Sequence, residues 1–408
     1  MDEAFRRASA LMPWGTQTSS KRVDPALAEV MPAFINQAEG CRIQASDGRW
    51  FTDYRSSLGP VILGHRHPAV EAAVLEQLQK GVLFSMASPL ELEVAERMLA
   101  LLPWAEQVRF VKSGHTANAA AVRLARAFTG RDHLITCGYH GHSDWFAAGA
   151  GEVPLWTHRA GNGVPTMLDG LVSRVAYGDT TALERLFEAR GRQTAAVILT
   201  PCPALDEPSP SFVQAARSLA SSVGALLSFD EGLSGFRVDM AGGAGLLKVT
   251  PDLATYAKAL ANGYPLAALA GRRDVMTCLE RVIITETYAG ETLSLAADAA
   301  TLETFVREPV IDHIQRTGLR LKDGFNAIAQ RIGLGAEARG LPAMPWFQFH
   351  QDPTADAAAR LAFHRGLFER GIFPHHPFLL SFAHTEAVVD ETLEAFEGIL
   401  GEMVHQGF

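Results

Sequence analysis

The chain has 408 residues, 48% of them hydrophobic and 20% charged, with a formal net charge of −9. That balance belongs to a folded globular protein, and the length favours one large domain with a smaller companion. No acidic block and no lysine/arginine run interleaved with aromatics is present, which argues against nucleic acid or an anionic membrane as partner and for a small-molecule substrate.

From the N-terminus, Met1-Asp2-Glu3 opens no charged-then-apolar signal pattern, and no apolar run approaches the roughly 20 residues that span a bilayer. A polar lead-in through Gly15 to Arg22 is followed by Cys41 to Ala45 and Trp50 to Tyr54, two alternating runs joined by Asp47-Gly48. Asp-Gly supplies the positive-φ turn of a β-hairpin. Apolar residues at helical spacing predict helices from Pro68 to Leu78 and from Leu90 to Leu102, the second opening at Ser88-Pro89.

The middle of the chain alternates β-rich runs with helical segments. Val108 to Val111, His133 to Thr136, Ala195 to Leu199 and Ala225 to Phe229 are the strands of a parallel sheet covered by helices. In such sheets ligands sit at the carboxyl ends of the strands. Gly/Pro-rich turns at 161–165 and 241–245 punctuate this part, and Ile311 to Ala329 reads as one long amphipathic helix leading into a small α+β unit. Cys41, Cys137, Cys202 and Cys278 form no C-x-x-C pair, which argues against a zinc site or a disulfide framework and favours a reducing cytoplasm.

Four strand ends carry candidate chemistry. Val108 to Val111 runs into Lys112-Ser113-Gly114-His115-Thr116-Ala117-Asn118 and a helix from Ala119, an arrangement that presents backbone N–H groups to a phosphate, or is an ordinary βα turn with an N-cap. His133 to Thr136 leads to Cys137-Gly138-Tyr139-His140-Gly141-His142, where the tyrosine could lie over a flat ring or pack as a plain core residue. Asp230 ends an apolar strand, where a carboxylate needs a cationic partner such as a protonated pyridine nitrogen. Lysines number only six: Lys21 lies before the sheet, Lys80 and Lys322 on helices and Lys112 in the phosphate turn, whereas Lys258 follows Asp252 to Ala257 and precedes a small-residue loop that would desolvate its amine.

With these residues in place the chain resembles the class III aminotransferases, in the subgroup of glutamate-1-semialdehyde aminomutase and sugar-modifying aminotransferases. The matching blocks are Leu63-Gly64-His65-Arg66-His67-Pro68, Ser113-Gly114 with Ala117-Asn118, Arg123 to Ala127 with Thr129-Gly130-Arg131, Tyr139-His140-Gly141-His142, Asp230-Glu231 with Gly235-Phe236-Arg237, and Lys258. The resemblance implies an α/β fold of the pyridoxal 5′-phosphate (PLP) transferase type I. Its large, mostly parallel sheet domain, covered by helices on both faces, would span 51–302, with a small α+β domain from 303–408 and an N-terminal segment, 1–50, that joins it.

The resemblance also implies a homodimer with a shared active site and PLP in Schiff-base linkage to Lys258. Asp230 would pair with the pyridine nitrogen and Tyr139 would stack on the ring. Ser113, Gly114 and His115 would hold the phosphate, His140 would join the cofactor-binding set, and Thr287 would reach the phosphate of the partner subunit. Arg22 and Glu291 are the substrate-binding candidates, and no metal is expected.

The implied reaction is ping-pong transfer of an amino group from glutamate or glutamine to a carbonyl of a sugar or sugar-derived metabolite. The alternative is a PLP-dependent isomerase, aminomutase or epimerase, and a catalytically silent subunit is the third reading. Three departures from the family pattern stand out: His115-Thr116 where Thr then Glu or Asp is usual, Gly232 where Val, Ile or Ala is usual, and no Ser-x-x-Glu pattern in Phe373 to Ser381, which disfavours the aminomutase.

Overall fold

The computed structural model describes residues 3–148 and 163–408, so the 161–165 turn lies partly outside the described residues. The chain divides into two compact units, Met1–His67 with Asp312–Phe408, and Pro68–Ile311. The first unit opens with α1 (Glu3–Leu11) and then β1 (Ile35–Glu39), β2 (Arg42–Ala45) and β3 (Trp50–Asp53). The expected hairpin is present: β2 and β3 pair antiparallel, Gly48 sits at φ +89°, and Asp47 Oδ1 accepts the Arg49 N–H at 3.0 Å. Because β3 pairs with β2, the first unit continues past residue 50 to His67.

The second unit begins with α2 (Pro68–Leu78) and α3 (Pro89–Leu101), the latter started by a capping box in which Ser88 and Glu91 satisfy each other's backbone donors. There follow β4 (Gln107–Val111), α4 (Gly114–Thr129), β5 (His133–Cys137), α5 (Asp144–Ala147), β6 (Val172–Arg174), α6 (Thr180–Arg190) and β7 (Thr194–Leu199). After them come α7 (Pro210–Val223), β8 (Leu226–Glu231), α8 (Gly242–Leu247), β9 (Leu253–Tyr256), β10 (Ala267–Gly271), α9 (Arg273–Met276) and α10 (Thr292–Arg307).

The seven strands form one sheet in the order β4-β10-β9-β8-β7-β5-β6. The pairs from β9 through β8, β7 and β5 to β6 are parallel, and β10 is antiparallel to both β9 and β4. Strand β4 therefore runs in the same direction as β9, so the carboxyl ends of β4, β5, β8 and β9 share one edge. Every residue of β5, β7, β8, β9 and β10 is buried, so both faces of the sheet are covered, and these strands are mostly apolar without a polar-out alternation.

Helix α11 (Val310–Ile332) leads back to the first unit, which adds β11 (Glu337–Arg339), β12 (Trp346–Gln348), α12 (Pro353–Glu369), β13 (Ile372–Phe373) and α13 (Glu386–His405). Strand β13 pairs parallel with β3 and completes a small four-stranded sheet. Phe325, Phe347, Phe363 and Phe396, one each from α11, β12, α12 and α13, meet at centroid distances of 4.5–6.0 Å and form the core between these elements.

Four readings of the sequence need adjusting. Helix α4 begins at Gly114 rather than Ala119, because Ser113 caps it. Strand β8 runs on through Asp230 and Glu231, so Asp230 lies inside the strand. Strand β10, Ala-Ala-Leu-Ala-Gly, carries no strand signal in the sequence because it lacks β-branched residues. Helix α10 crosses the composition change at Leu302, and the units part at 311/312. Among the described residues no helix is long and apolar enough to cross a membrane.

Candidate active site

The shared strand edge brings four turns together. The first is the β4–α4 turn. Ser113, at the N-cap, accepts the Thr116 N–H at 3.1 Å and contacts the Thr116 hydroxyl at 2.9 Å. The N–H groups of Gly114 and His115 precede the first intrahelical bond and point out of the helix start with the positive end of its dipole. A Cβ on Gly114 would stand 3.2 Å from Ala257 Cβ, so this helix start packs against the residue that precedes Lys258.

The second turn follows β5. Gly138 and Gly141 have φ +108° and +96°, which lets the chain fold back onto the first turn; a Cβ on Gly141 would meet His115 Cβ at 3.1 Å. His115 stacks on His142 with centroids 3.9 Å apart, and its Nδ1 lies 3.0 Å from Ser143 Oγ. Burial and then the neighbouring His142 pull the His115 imidazole below its ordinary value. Tyr139 keeps 40% of its surface open and meets Phe146 edge-on, while burial and the charge of Asp230 push its hydroxyl up.

His140 differs from what the sequence led one to expect of a group entering a crevice. It is fully buried, its Nδ1 lies 3.0 Å from Asp230 Oδ2, and its ring lies near-parallel to Trp145. Because a carboxylate only accepts, Nδ1 is the protonated nitrogen. In this structure His140 serves Asp230.

Asp230, the third component, accepts from Asn118 Nδ2 at 2.8 Å and His140 Nδ1 at 3.0 Å on one oxygen, and from the Gly232 N–H at 2.9 Å on the other. Burial alone would raise its carboxyl. The bond and charge of His140, the Gly232 N–H and the positive charge of Lys258 outweigh burial and hold the carboxyl below the usual range. A Cβ on Gly232 would come within 2.9 Å of Asp230 Oδ1, so the glycine that departs from the family pattern leaves room for this carboxylate.

Lys258 completes the set. It follows β9, opens a short 3-10 turn, and sits at φ +46°, a left-handed conformation that a lysine adopts only where its surroundings impose it. Burial pulls its amine down from the ordinary lysine value, Asp230 pulls it up, and Arg237, fully buried, pulls it down again. A lysine whose amine is depressed by burial and reached by the charge of Asp230, on a turn whose preceding residue packs against the start of α4, has the features of a reactive amine.

The remaining candidates fall elsewhere. Thr287 is exposed on the turn before α10. Glu291 caps α10, accepting the N–H groups of Leu293 and Ser294 and the Ser294 hydroxyl, and pairs with Lys112 Nζ at 3.0 Å. Its oxygens are thus engaged within the protein. Arg22 is exposed in the first unit, after the 3-10 turn Ser19–Lys21. Two further residues carry no sequence signal of a role: Thr255, whose hydroxyl donates to Asn118 Oδ1 at 2.8 Å, and Glu231, which is fully buried and accepts from Ser234 and the N–H groups of Gly243 and Ala244.

The profile of the family described as Aminotransferase class-III matches residues 25–403. Over 98% of this chain and 97% of the relative, the sequence is 34% identical to a glutamate-1-semialdehyde 2,1-aminomutase of Desulfitobacterium hafniense (strain DSM 10664 / DCB-2). Among solved structures, the FumI protein of Sphingopyxis sp. MTA144 in its PLP internal aldimine form is similar with a TM-score of 0.90 and 29% identity, over 99% of this chain and 96% of that one. An omega-transaminase from Sphaerobacter thermophilus is similar with a TM-score of 0.88 and 27% identity, over 98% and 96%.

Proposed function

The chain belongs to the class III aminotransferase family, and from that premise we propose that it is a PLP-dependent enzyme whose Lys258 amine holds the cofactor and carries out the proton transfers of amino-group exchange. One observation carries this reading: at the shared strand edge the Lys258 amine, depressed by burial, lies within the electrostatic reach of a carboxylate that accepts from three donors.

The residues fit the cofactor. Ser113, Gly114 and His115 at the start of α4 suit a phosphate, Tyr139 offers an open aromatic ring, and Asp230 offers a negative charge for a pyridinium nitrogen. When bound, PLP supplies an aldehyde that condenses with amines and a protonated ring that accepts electron density. Lys258 would hold the cofactor through its amine and, once released, would move a proton at the substrate Cα; burial, by pulling that amine down, favours its neutral, proton-accepting form. Asp230, fixed in its charge and direction, would hold a proton on the pyridine nitrogen. Thr287 is assigned to the phosphate of a partner subunit and Arg22 to the donor carboxylate.

For the substrates the reading is glutamate or glutamine as donor and a sugar or sugar-derived carbonyl as acceptor, supported by the resemblance to the sugar-modifying subgroup, with Glu291 in the acceptor region. Glu291, held by α10 and Lys112, contributes to that acceptor region by fixing its backbone. The second reading, an aminomutase, is favoured by the name of the 34% identical relative. Incubating the PLP-loaded protein with L-glutamate and, separately, a panel of keto-sugars or glutamate-1-semialdehyde separates them. Stoichiometric 2-oxoglutarate released with a sugar acceptor supports transfer; rearrangement of the semialdehyde without any external amino product supports the isomerase and overturns it.

A further inference from the structure

Asp230 and Thr255 face each other in register across the parallel pair β8 and β9, and helix α4 lays Asn118 over both. Asn118, Thr255 and His140 are all buried. Thr255 Oγ1 lies 2.8 Å from Asn118 Oδ1, and Asn118 Nδ2 lies 2.8 Å from Asp230 Oδ2 and 3.4 Å from the carbonyl oxygen of His140. The two ends of a carboxamide are nearly the same shape and opposite in function, so hydrogen-bond partners decide which end faces where. An amide oxygen can only accept, so the Thr255 hydroxyl donates to it and thereby aims the amide N–H at the carboxylate. Without that hydroxyl the amide could rotate and set its oxygen against Asp230, a repulsive contact in a buried place.

We propose that Thr255 and Asn118 are positioning residues for the reaction: a relay in which the threonine hydroxyl fixes the asparagine amide, and the amide fixes the Asp230 carboxylate toward the cofactor ring. The inference rests on the assignment of Asp230 to PLP made above. The relay draws on three separate elements, α4, β8 and β9, so it also ties the helix that presents the phosphate-facing N–H groups to the strand end that presents Lys258. The register partner of Asp230 thus acts on it through a third residue rather than directly.

The test exploits the shape of threonine. Thr255→Val keeps the volume and removes the hydroxyl; Thr255→Ser keeps the hydroxyl and removes a methyl. Full-length wild type and both variants are stripped of PLP and titrated with it, the dissociation constant being read from the long-wavelength absorption band, and the pH midpoint of that band is then followed at saturation. The relay predicts that Thr255→Val weakens PLP binding by about five-fold and displaces the spectral midpoint, while Thr255→Ser stays within about two-fold of wild type, the range one neutral hydrogen bond supplies. Asn118→Asp, nearly isosteric but placing a second carboxylate against Asp230, weakens binding by more than about ten-fold, and it decides the matter should Thr255→Val fail to fold. A serine variant weaker than the valine variant marks a packing role and overturns the relay, as do variants indistinguishable from wild type. A wild type that binds no PLP overturns the parent reading instead, a result visible before any variant is made.

Discussion

Lys258 and Asp230 were legible in the sequence because each breaks a local rule: a scarce lysine in small apolar surroundings, and a carboxylate in an apolar strand. Asn118, Thr255 and Glu231 break no such rule, since a buried polar residue looks ordinary until its partner, 137 positions away for Asn118 and Thr255, is known. His140 could be read as part of a motif, yet its service to Asp230 depends on a fold-back enforced by glycines at positive φ. Glu231 gives a prediction with a definite sign. Burial pushes its carboxyl up from 4.5 to about 7 despite three hydrogen-bond donors. Between those values the folded protein keeps a proton that the unfolded chain releases, so Glu231 costs stability as pH rises from about 4.5 to 7 and the cost is constant above. Glu231→Gln carries no such cost. Its stability relative to wild type should rise across that window by on the order of 3 kcal/mol and then level off, as measured by denaturant unfolding at several pH values; a difference independent of pH would show that Glu231 ionises normally in the fold.

Helices and strands with strong periodicity or clear caps were readable, and those shaped by their neighbours were not. Pro68–Leu78 and the hairpin at Asp47-Gly48 follow from the sequence pattern, as does the start of α3 at Ser88-Pro89. Strand β10 is three alanines, a leucine and a glycine, and holds as a strand because β4 and β9 flank it. Two substitutions probe these elements. Ser88→Ala removes one half of the capping box of α3 and should lower unfolding free energy by about 1 kcal/mol without changing the spectrum of the bound cofactor. Gly138→Ala places a Cβ at φ +108° and 2.5 Å from Thr200 Oγ1. It should cost on the order of 1–3 kcal/mol and, because it moves the turn that carries Tyr139 and His140, should also weaken PLP binding; retention of wild-type affinity would separate that turn from the site.

At the scale of the molecule, the alternation of strand and helix was enough for an α/β architecture with a large sheet and a second smaller unit, while the place where the units part depended on pairings across the chain, β3 with β13 above all. Val82, Leu83, Phe84 and Met86 form an exposed apolar run in the second unit, the kind of surface that supports the reading of a homodimer. Light scattering should give twice the 44.0 kDa of one chain, and charged substitutions at Phe84 and Met86 should lower that mass and with it PLP retention, if Thr287 serves the partner's phosphate. The proposed function turns on Lys258. An absorption spectrum of wild type and Lys258→Ala, each supplied with PLP and then L-glutamate, tests it most directly. Wild type should develop a long-wavelength cofactor band that moves to shorter wavelength with glutamate, and Lys258→Ala should show no such conversion; a wild type that develops no band, or a variant that converts as readily as wild type, would contradict the proposed role of Lys258.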